Sequence, residues 1–337
     1  MARAGLCPGC GRGRTLRVEG RGPARRDGQA PAGLGKNAGG GAMIRVATAA
    51  YPMDVLRDWA AYRDKLTAWV AEAAGQGAQL LVFPEYGAME LATLSGPAVA
   101  GDLEASLAAV SDRLEDADAL HAELAARHRV HILAASAPCF DPALGPRPVN
   151  RARLFAPGGD RGVQDKQIMT RFEREDWGVA PGGPLRVFDT ALGPLAVLIC
   201  YDAEFPLLGR AVSAAPILLV PSCTEALSGY SRVRIGAQAR ALESQCVAVM
   251  ASTVGDCPWS EAVDTNTGAG GVFGPPDRGF PATGVLAAGR LNAPGWTYAN
   301  IDPDAIAAVR ADGVVLNRTH WDEQTGRADP PAMLRLR

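Results

Sequence analysis

Residues 196–206 decide the fold and read Ala-Val-Leu-Ile-Cys-Tyr-Asp-Ala-Glu-Phe-Pro. Four apolar residues lead into Cys200 and a helical pattern follows at once, which predicts a buried strand that turns directly into a helix. In α/β sheets, ligands gather at the carboxyl ends of strands, so the Cys200 thiol is a candidate nucleophile. The free N–H groups of such a turn also face a developing oxyanion. The alternative is a buried, inert thiol, because free cysteine packs as a small hydrophobic residue.

Two other apolar runs end at a charged residue in the same way. The run 80–83 is followed by Pro84, which ends the strand and places Glu85 at its tip. Lys166 follows a short strand-like stretch and belongs to the charged run 165–177, where apolar side chains are interleaved with the charges. That mixture favours a loop folded over a pocket, whereas the alternative for a charged run is a solvated surface. A thiol, a carboxylate and a cation are the groups that amide cleavage needs.

From Met43 onward, short runs rich in Val, Ile and Leu alternate with stretches of helical period, which predicts an α/β sandwich. We expect strands at 44–49, 79–83, 130–135, 152–155, 185–188, 195–200, 217–220, 247–251, 271–273 and 296–301. We expect helices at 58–74, 102–128, 203–213, 231–244 and 302–309. No Pro/Ser-rich linker and no internal repeat divides this part of the chain, so one domain is expected over 43–311. The polar residues 312–337 are expected to form a tail or an arm that contacts a partner subunit.

Composition restricts the class of protein. The 337 residues are 47% hydrophobic and 21% charged, which suffices for a sizeable core and excludes collagen-like and wholly disordered chains. The net charge of −2 leaves no global basic field, so we expect a small-molecule partner and neither nucleic acid nor a membrane. No uncharged apolar run reaches the ~18 residues of a membrane-spanning helix, and no secretory signal is recognisable. With an odd number of cysteines, seven, these features favour a cytoplasmic protein with reduced thiols.

Residues 1–42 differ from the rest of the chain. They hold eight Lys or Arg against two acidic residues, and 12 of the 39 glycines. So little apolar surface cannot offset the entropy cost of ordering the segment. We therefore expect a disordered Gly/Arg-rich leader that is either not native or lies upstream of a natural start at Met43. Cys7 and Cys10 supply at most half of a zinc ribbon, and a closed zinc site needs four ligands, so no structural metal is expected.

The order and contexts of these motifs resemble the nitrilase superfamily of carbon-nitrogen hydrolases, in its amidase-like branch. The similarity covers nearly all of 43–337 and extends beyond the three strand ends, to 45–47, Asn150, 181–182, 219–222 and 238–245. The resemblance implies the family's four-layer α-β-β-α sandwich, in which subunits commonly pair, so a homodimer or higher homo-oligomer is expected. It also implies a Glu-Lys-Cys triad, with no metal and no cofactor, formed by Glu85, Lys166 and Cys200.

The same resemblance suggests roles for further residues. A glutamate after the lysine helps to position substrate and water in the family. Counting back seven residues from Gly182 places it at Glu175, with Glu173 as the fallback. Substrate-binding or oxyanion roles are expected for three more side chains, Tyr201, Glu204 and Trp177.

The resemblance also bears on the substrate. Nitrile-specific members usually show Cys-Trp-Glu at the nucleophile, so Cys200-Tyr201-Asp202 favours amides. Glu204 stands where many amide-cleaving members have arginine; it either disfavours substrates with a free carboxylate and favours a basic or amino-bearing one, or is solvated or salt-bridged. Cys223, near the expected pocket, is expected to be a spectator. We expect hydrolysis of a small non-peptide amide through a thioester on Cys200, releasing ammonia or an amine. A nitrilase, an acyl-transferring member and a catalytically silent binding scaffold stay open as alternatives.

Overall fold

The computed structural model describes residues 42–327 and 329–336. The expected leader, with Cys7 and Cys10, lies outside the described residues apart from Ala42. The strands are β1 (Ile44–Pro52), β2 (Leu80–Val82), β3 (His131–Cys139), β4 (Val149–Phe155), β5 (Arg161–Asp165), β6 (Val187–Phe188), β7 (Leu195–Val197), β8 (Ile217–Ser222), β9 (Val247–Asp256), β10 (Thr265–Asn266), β11 (Gly271–Phe273), β12 (Val285–Ala288) and β13 (Gly295–Ile301). The α-helices are α1 (Trp59–Gly75), α2 (Pro97–Ala100), α3 (Leu103–Ser111), α4 (Leu114–His128), α5 (Arg171–Glu175), α6 (Pro206–Ala211), α7 (Leu227–Glu243) and α8 (Pro303–Asp312). Three 3₁₀ segments cover Gly87–Ser95, Cys200–Glu204 and Thr319–Gln324.

Hydrogen bonds connect nine strands in the order β5-β4-β3-β2-β1-β9-β8-β7-β6. Strands β1, β2 and β3 are parallel, as are β7, β8 and β9, and antiparallel strands lie at both ends of the order. The two parallel groups meet where the last three residues of β1 pair with β9, in the register Ala50↔Ser252. Strand β13 pairs antiparallel with β1. The parallel strands therefore direct their carboxyl ends to one edge, where Glu85 follows β2 and Cys200 lies three residues after β7. Strand β5, two antiparallel pairings away from β3, runs in the same direction and leads to Lys166.

Side chains alternate between the two faces of these strands and so build two cores. On one face, Ala47, Leu81 and Ile132 pack in a core shared with α1, α3 and α4. On the other face, Val46, Leu80 and Leu133 belong to a core shared with β7, β8, β9 and α7. Strands thus lie between two groups of helices, which confirms the expected α-β-β-α fold class.

The expected elements are found with shifted ends. The helix expected over 102–128 is divided into α3 and α4. The strand expected to reach Cys200 ends at Val197, and a 3₁₀ turn separates it from α6. Proline at the first position of α6 explains that start, because Pro206 has no N–H to lose there. Strand β5 is the short strand-like stretch noted before Lys166, for which no bounds were given, and strands β10 and β12 were not expected.

The structure also bears on the C-terminal tail and on membrane-spanning helices. Within the tail, Asp322 forms an ion pair with Arg210 of α6 at 2.5 Å, so this part of 312–337 packs against its own chain, and contact with a partner subunit stays a prediction. Among the described residues, no helix combines the length and the apolar character needed to cross a membrane.

Candidate active site

Three strand ends bring Glu85, Lys166 and Cys200 together. Glu85 follows β2, Lys166 directly follows β5, and Cys200 begins the 3₁₀ turn after β7. Lys166 Nζ donates to Glu85 Oε1 at 2.7 Å. All three residues are buried, with at most 4% of their surface exposed. The expected thiol, carboxylate and cation therefore form one cluster in the fold.

Backbone and side-chain donors hold the Glu85 carboxylate in one orientation. Asn150 Nδ2 donates to Oε1 at 2.9 Å, the oxygen that also accepts from Lys166. The Cys223 N–H donates to Oε2 at 3.0 Å. Tyr86, the next residue, has φ of 53° in the left-handed region, which non-glycine residues rarely adopt. This conformation turns the chain sharply after Glu85, and the backbone strain is located at the cluster itself.

The structure places Glu173, not Glu175, beside Lys166. Glu173 Oε2 accepts from Lys166 Nζ at 2.6 Å, and Glu173 Oε1 accepts from the Tyr86 hydroxyl at 2.7 Å. Glu175 lies two positions along α5 on its exposed side and pairs with Arg171 at 2.7 Å. The expectation for Glu175 is therefore corrected to the fallback, Glu173. Counting back from Gly182 failed because positions 173 and 175 of a helix point to different sides, about 200° apart.

Side chains of Asp202 and Arg240 hold the turn that carries Cys200. Cys200 itself has φ of 50°, again in the left-handed region. The Asp202 carboxylate accepts from the N–H groups of Ile199, Gln167 and Ile168, and so ties the Cys200 turn to the segment after Lys166. Arg240 of α7 donates to the Ala203 carbonyl at 3.1 Å. These contacts hold the thiol and the ammonium in one rigid frame.

Burial controls the protonation states at the cluster. Burial and the nearby Glu85 charge raise the pKa of the Cys200 thiol well above its ordinary range, although Lys166 acts in the opposite direction. Burial also raises the pKa of Glu85, against the lowering effect of Lys166. For Glu173 the opposing charge of Lys166 wins over burial and lowers the pKa. Burial opposes the charge on Lys166, but the carboxylates Glu173 and Glu85 together raise its pKa well above the ordinary value.

The thiol borders a pocket of about 520 Å³. Tyr201 and Glu204, two of the residues expected to bind substrate, line this pocket, and Glu204 pairs with Arg232 at 3.5 Å. Trp177, the third, does not appear in its lining. Its indole donates to the Leu103 carbonyl at 3.1 Å, and its ring packs against Tyr86 with centroids 4.8 Å apart. Trp177 therefore supports the wall behind Glu173 and lies away from the substrate space.

Several residues of the site had no expected role. Asn150 donates to Glu85, Tyr86 donates to Glu173, and Asp202 accepts from the Ile199 N–H beside Cys200. Asn150 and Asp202 were noted in the sequence only as part of the family resemblance, without a role in the site. Glu173 did carry a signal. Thr170 and Glu173 have the spacing of a capping box, in which threonine caps a helix and glutamate returns to the cap. The structure contains both halves of that box, so α5 begins directly after Thr170 and the Glu173 side chain is buried.

Comparisons with known proteins identify the family to which this sequence is similar. The family model described as carbon-nitrogen hydrolase matches residues 45–311. The chain is similar to "Probable hydrolase YhcX" of Bacillus subtilis, with 31% identity over 277 residues, or 81% of this chain and 52% of the relative. It is 39% identical over 95 residues to a deaminated glutathione amidase of Yersinia enterocolitica, covering 28% of this chain and 33% of the relative. The chain thus spans about half the length, or less, of these relatives.

A solved structure supports the fold. The carbon-nitrogen hydrolase from Helicobacter pylori G27 superposes with a TM-score of 0.67 at 18% identity, covering 86% of this chain and 99% of that one. The family match extends from β1 into α8 and includes all three residues of the cluster. The resemblance seen in the sequence is confirmed, and the chain belongs to the carbon-nitrogen hydrolase family.

Proposed function

We propose that the chain hydrolyses small non-peptide amides through a thioester on Cys200. The observation that carries this proposal is the contact of Lys166 with both Glu85 and Glu173 at the edge of the pocket that Cys200 lines. One buried cluster then provides a nucleophile, a base and a cation. The family membership supports cleavage of a carbon–nitrogen bond, and a relative named as an amidase is consistent with an amide as substrate.

Acylation begins with a neutral thiol, because burial keeps the pKa of Cys200 high. The thiol proton moves to Glu85 as Sγ attacks the amide carbon, and the carbonyl electron pair moves to oxygen. Lys166 and the N–H groups of the Cys200 turn stabilise that oxyanion. When the tetrahedral carbon collapses, Glu85 returns the proton to the nitrogen, which leaves as ammonia or an amine. The products of this half are the thioester and the free nitrogen base.

Deacylation uses the same groups. A water oxygen attacks the thioester carbon while Glu85 accepts a proton from that water, and the carbon–sulfur bond then breaks. The proton then returns to the cysteine sulfur, and a carboxylic acid is released. Glu173 acts as a positioning residue in both halves, since it accepts from the same Lys166 Nζ that donates to Glu85.

An ammonia-release screen tests this function. Wild-type protein is assayed with short aliphatic amides and with nitriles of matched carbon skeleton, alongside Cys200→Ala and the control Cys139→Ala. Cys139 is a partly buried cysteine at the end of β3, outside the cluster. We expect amides to be cleaved faster than nitriles, Cys200→Ala to be inactive and Cys139→Ala to retain activity. Faster cleavage of the nitriles would favour a nitrilase, and turnover that survives in Cys200→Ala would refute the proposed nucleophile.

A further inference from the structure

A second pocket adjoins the pocket at Cys200. This neighbouring pocket has a volume of about 620 Å³. Both pockets are lined by Glu261, Asp264 and Thr265, so they share a wall. Trp259, which is half-buried, lines the second pocket. We call the pocket at Cys200 the inner pocket, the pocket at Trp259 the outer pocket, and the two adjoining pockets together the groove.

The groove is strongly acidic. Four carboxylates and one guanidinium line the inner pocket, and the guanidinium, Arg232, is already paired with Glu204 at 3.5 Å. The outer pocket adds Asp256, and none of its lining residues within the described chain is Lys or Arg. In residues 42–327 and 329–336, no Lys or Arg side chain forms an ion pair with the three remaining carboxylates of the inner pocket, Glu225, Glu261 and Asp264.

Like charges in one groove repel each other, and a bound cation removes that repulsion. The carboxylates are distributed along the groove: nowhere in the described part of the chain do three or more His, Cys, Asp or Glu side chains come together as a metal-binding group. A distributed set of exposed carboxylates fits an organic cation on a flexible chain. Trp259, which lines the outer pocket, provides an aromatic ring of the kind that attracts cations and methylene groups.

Building on the proposed amidase function, we infer that the groove selects linear aliphatic amides that carry a primary ammonium group several methylenes away from the carbon attacked by Cys200. The ammonium lies among Glu225, Glu261 and Asp264 while the amide group reaches the cluster. Substrates with a free carboxylate at the same distance meet the same charges and are rejected.

Matched substrates test this inference. In the first series, 5-aminopentanamide is compared with hexanamide and with the monoamide of adipic acid, and ammonia is measured. In the second, N-(4-aminobutyl)acetamide is compared with N-pentylacetamide, and acetate is measured. We expect kcat/KM at low salt to be about tenfold higher for the cationic amide than for the neutral one in at least one series, the effect of about three weak ion pairs. The anionic amide should be the poorest substrate. Added NaCl should reduce the preference, because salt screens exposed charges.

Two triple variants test whether the carboxylates of the groove cause the preference for cationic amides. The triple variant Glu225→Gln/Glu261→Gln/Asp264→Asn should bring the cationic-to-neutral ratio of kcat/KM to within about twofold, because it removes those ion pairs. A control that neutralises three exposed carboxylates elsewhere should keep the wild-type ratio: Glu115→Gln/Glu123→Gln/Asp160→Asn.

Two failures are distinguishable. Equal kcat/KM for cationic and neutral amides in both series, with turnover that depends on Cys200, would overturn the inference and leave the amidase function standing. If the wild-type protein cleaves none of these amides and Cys200 is not acylated by an activated ester, the proposed function fails and the inference falls with it.

Discussion

Replacing Glu173 with glutamine removes one negative charge from Lys166 and keeps the shape of the side chain. In the structure, Glu173 Oε2 accepts from Lys166 Nζ at 2.6 Å and from the Thr170 N–H at 2.8 Å. Glutamine serves in a capping box as glutamate does, so α5 should begin at the same residue. A hydrogen bond to a charged group contributes about 1.5–3 kcal/mol and a neutral one about 1 kcal/mol. The loss of charge should therefore lower the free energy of unfolding by about 0.5–2 kcal/mol.

The effect on activity should be larger than the effect on stability. With glutamine at position 173, Lys166 has one carboxylate partner left, Glu85. A displacement of a catalytic group by about 1 Å costs ~10² in rate, so we expect kcat to fall about a hundredfold. The charge of Glu173 also raises the pKa of Glu85. In Glu173→Gln the pKa of Glu85 should fall, and the acid limb of kcat/KM should move to lower pH, a shift that a merely structural role would not produce.

The assay is a pH profile of kcat/KM for one amide that the wild-type protein cleaves, combined with urea unfolding. Glu175→Gln is the matched control on the same helix: its exposed i,i+4 pair with Arg171 contributes about 0.3–0.5 kcal/mol, and its activity should match the wild type. A hundredfold loss in Glu175→Gln with normal activity in Glu173→Gln would refute the assignment. An unmoved acid limb in Glu173→Gln would refute the electrostatic argument.

Further expectations concern the same cluster. Lys166→Met should stay folded by circular dichroism and lose about 10²–10³ in kcat, because a charge preorganised at the oxyanion is lost; near-normal turnover would reduce Lys166 to a structural cation. Cys223→Ala should keep a substantial fraction of activity, since the contact to Glu85 comes from the backbone N–H; loss of all turnover would show that the thiol itself takes part. For wild-type protein, kcat/KM should fall as pH decreases through the raised pKa of Glu85, at a pH above the ordinary glutamate range near 4.3; a limb at or below that range would contradict the burial argument. Burial raises the pKa of Asp202 to about 7 despite its backbone donors, so the folded state holds the proton more tightly than the unfolded state. The free energy of unfolding should then decrease between about pH 4 and pH 7, and Asp202→Asn should reduce that slope in urea titrations; an unchanged slope would exclude Asp202 as its source.

The sequence allowed the fold class and the three-residue cluster to be predicted, because both depend on patterns along the chain. Apolar runs lead to Glu85 and Cys200 and a short strand-like stretch leads to Lys166, and strands that run in the same direction bring such ends to one edge. The same logic failed for short or exposed strands. β10 and β12 contain too few buried residues to show a period.

The remaining parts of the site depend on geometry that local patterns do not encode. The contact of Asn150 with Glu85 joins positions 65 residues apart, and the Cys223 N–H reaches Glu85 across 138 residues. Trp177 was expected to bind substrate as one of the apolar side chains interleaved with the charges of 165–177, but its packing against Tyr86 depends on where α3 lies. Glu173 shows that a local rule was present: the capping box distinguishes it from Glu175.

The central claim is that Cys200 forms a thioester whose formation and hydrolysis both need Glu85. The most direct measurement is intact-mass analysis of Glu85→Gln after exposure to an activated ester, followed by peptide mapping of the modified cysteine. An ester with a good leaving group needs no proton from Glu85, whereas hydrolysis of the thioester needs a base. We expect a stable single adduct on Cys200 in the variant and rapid turnover without accumulation in the wild type. An adduct on Cys223 or on another residue, or hydrolysis by Glu85→Gln at the wild-type rate, would contradict the claim.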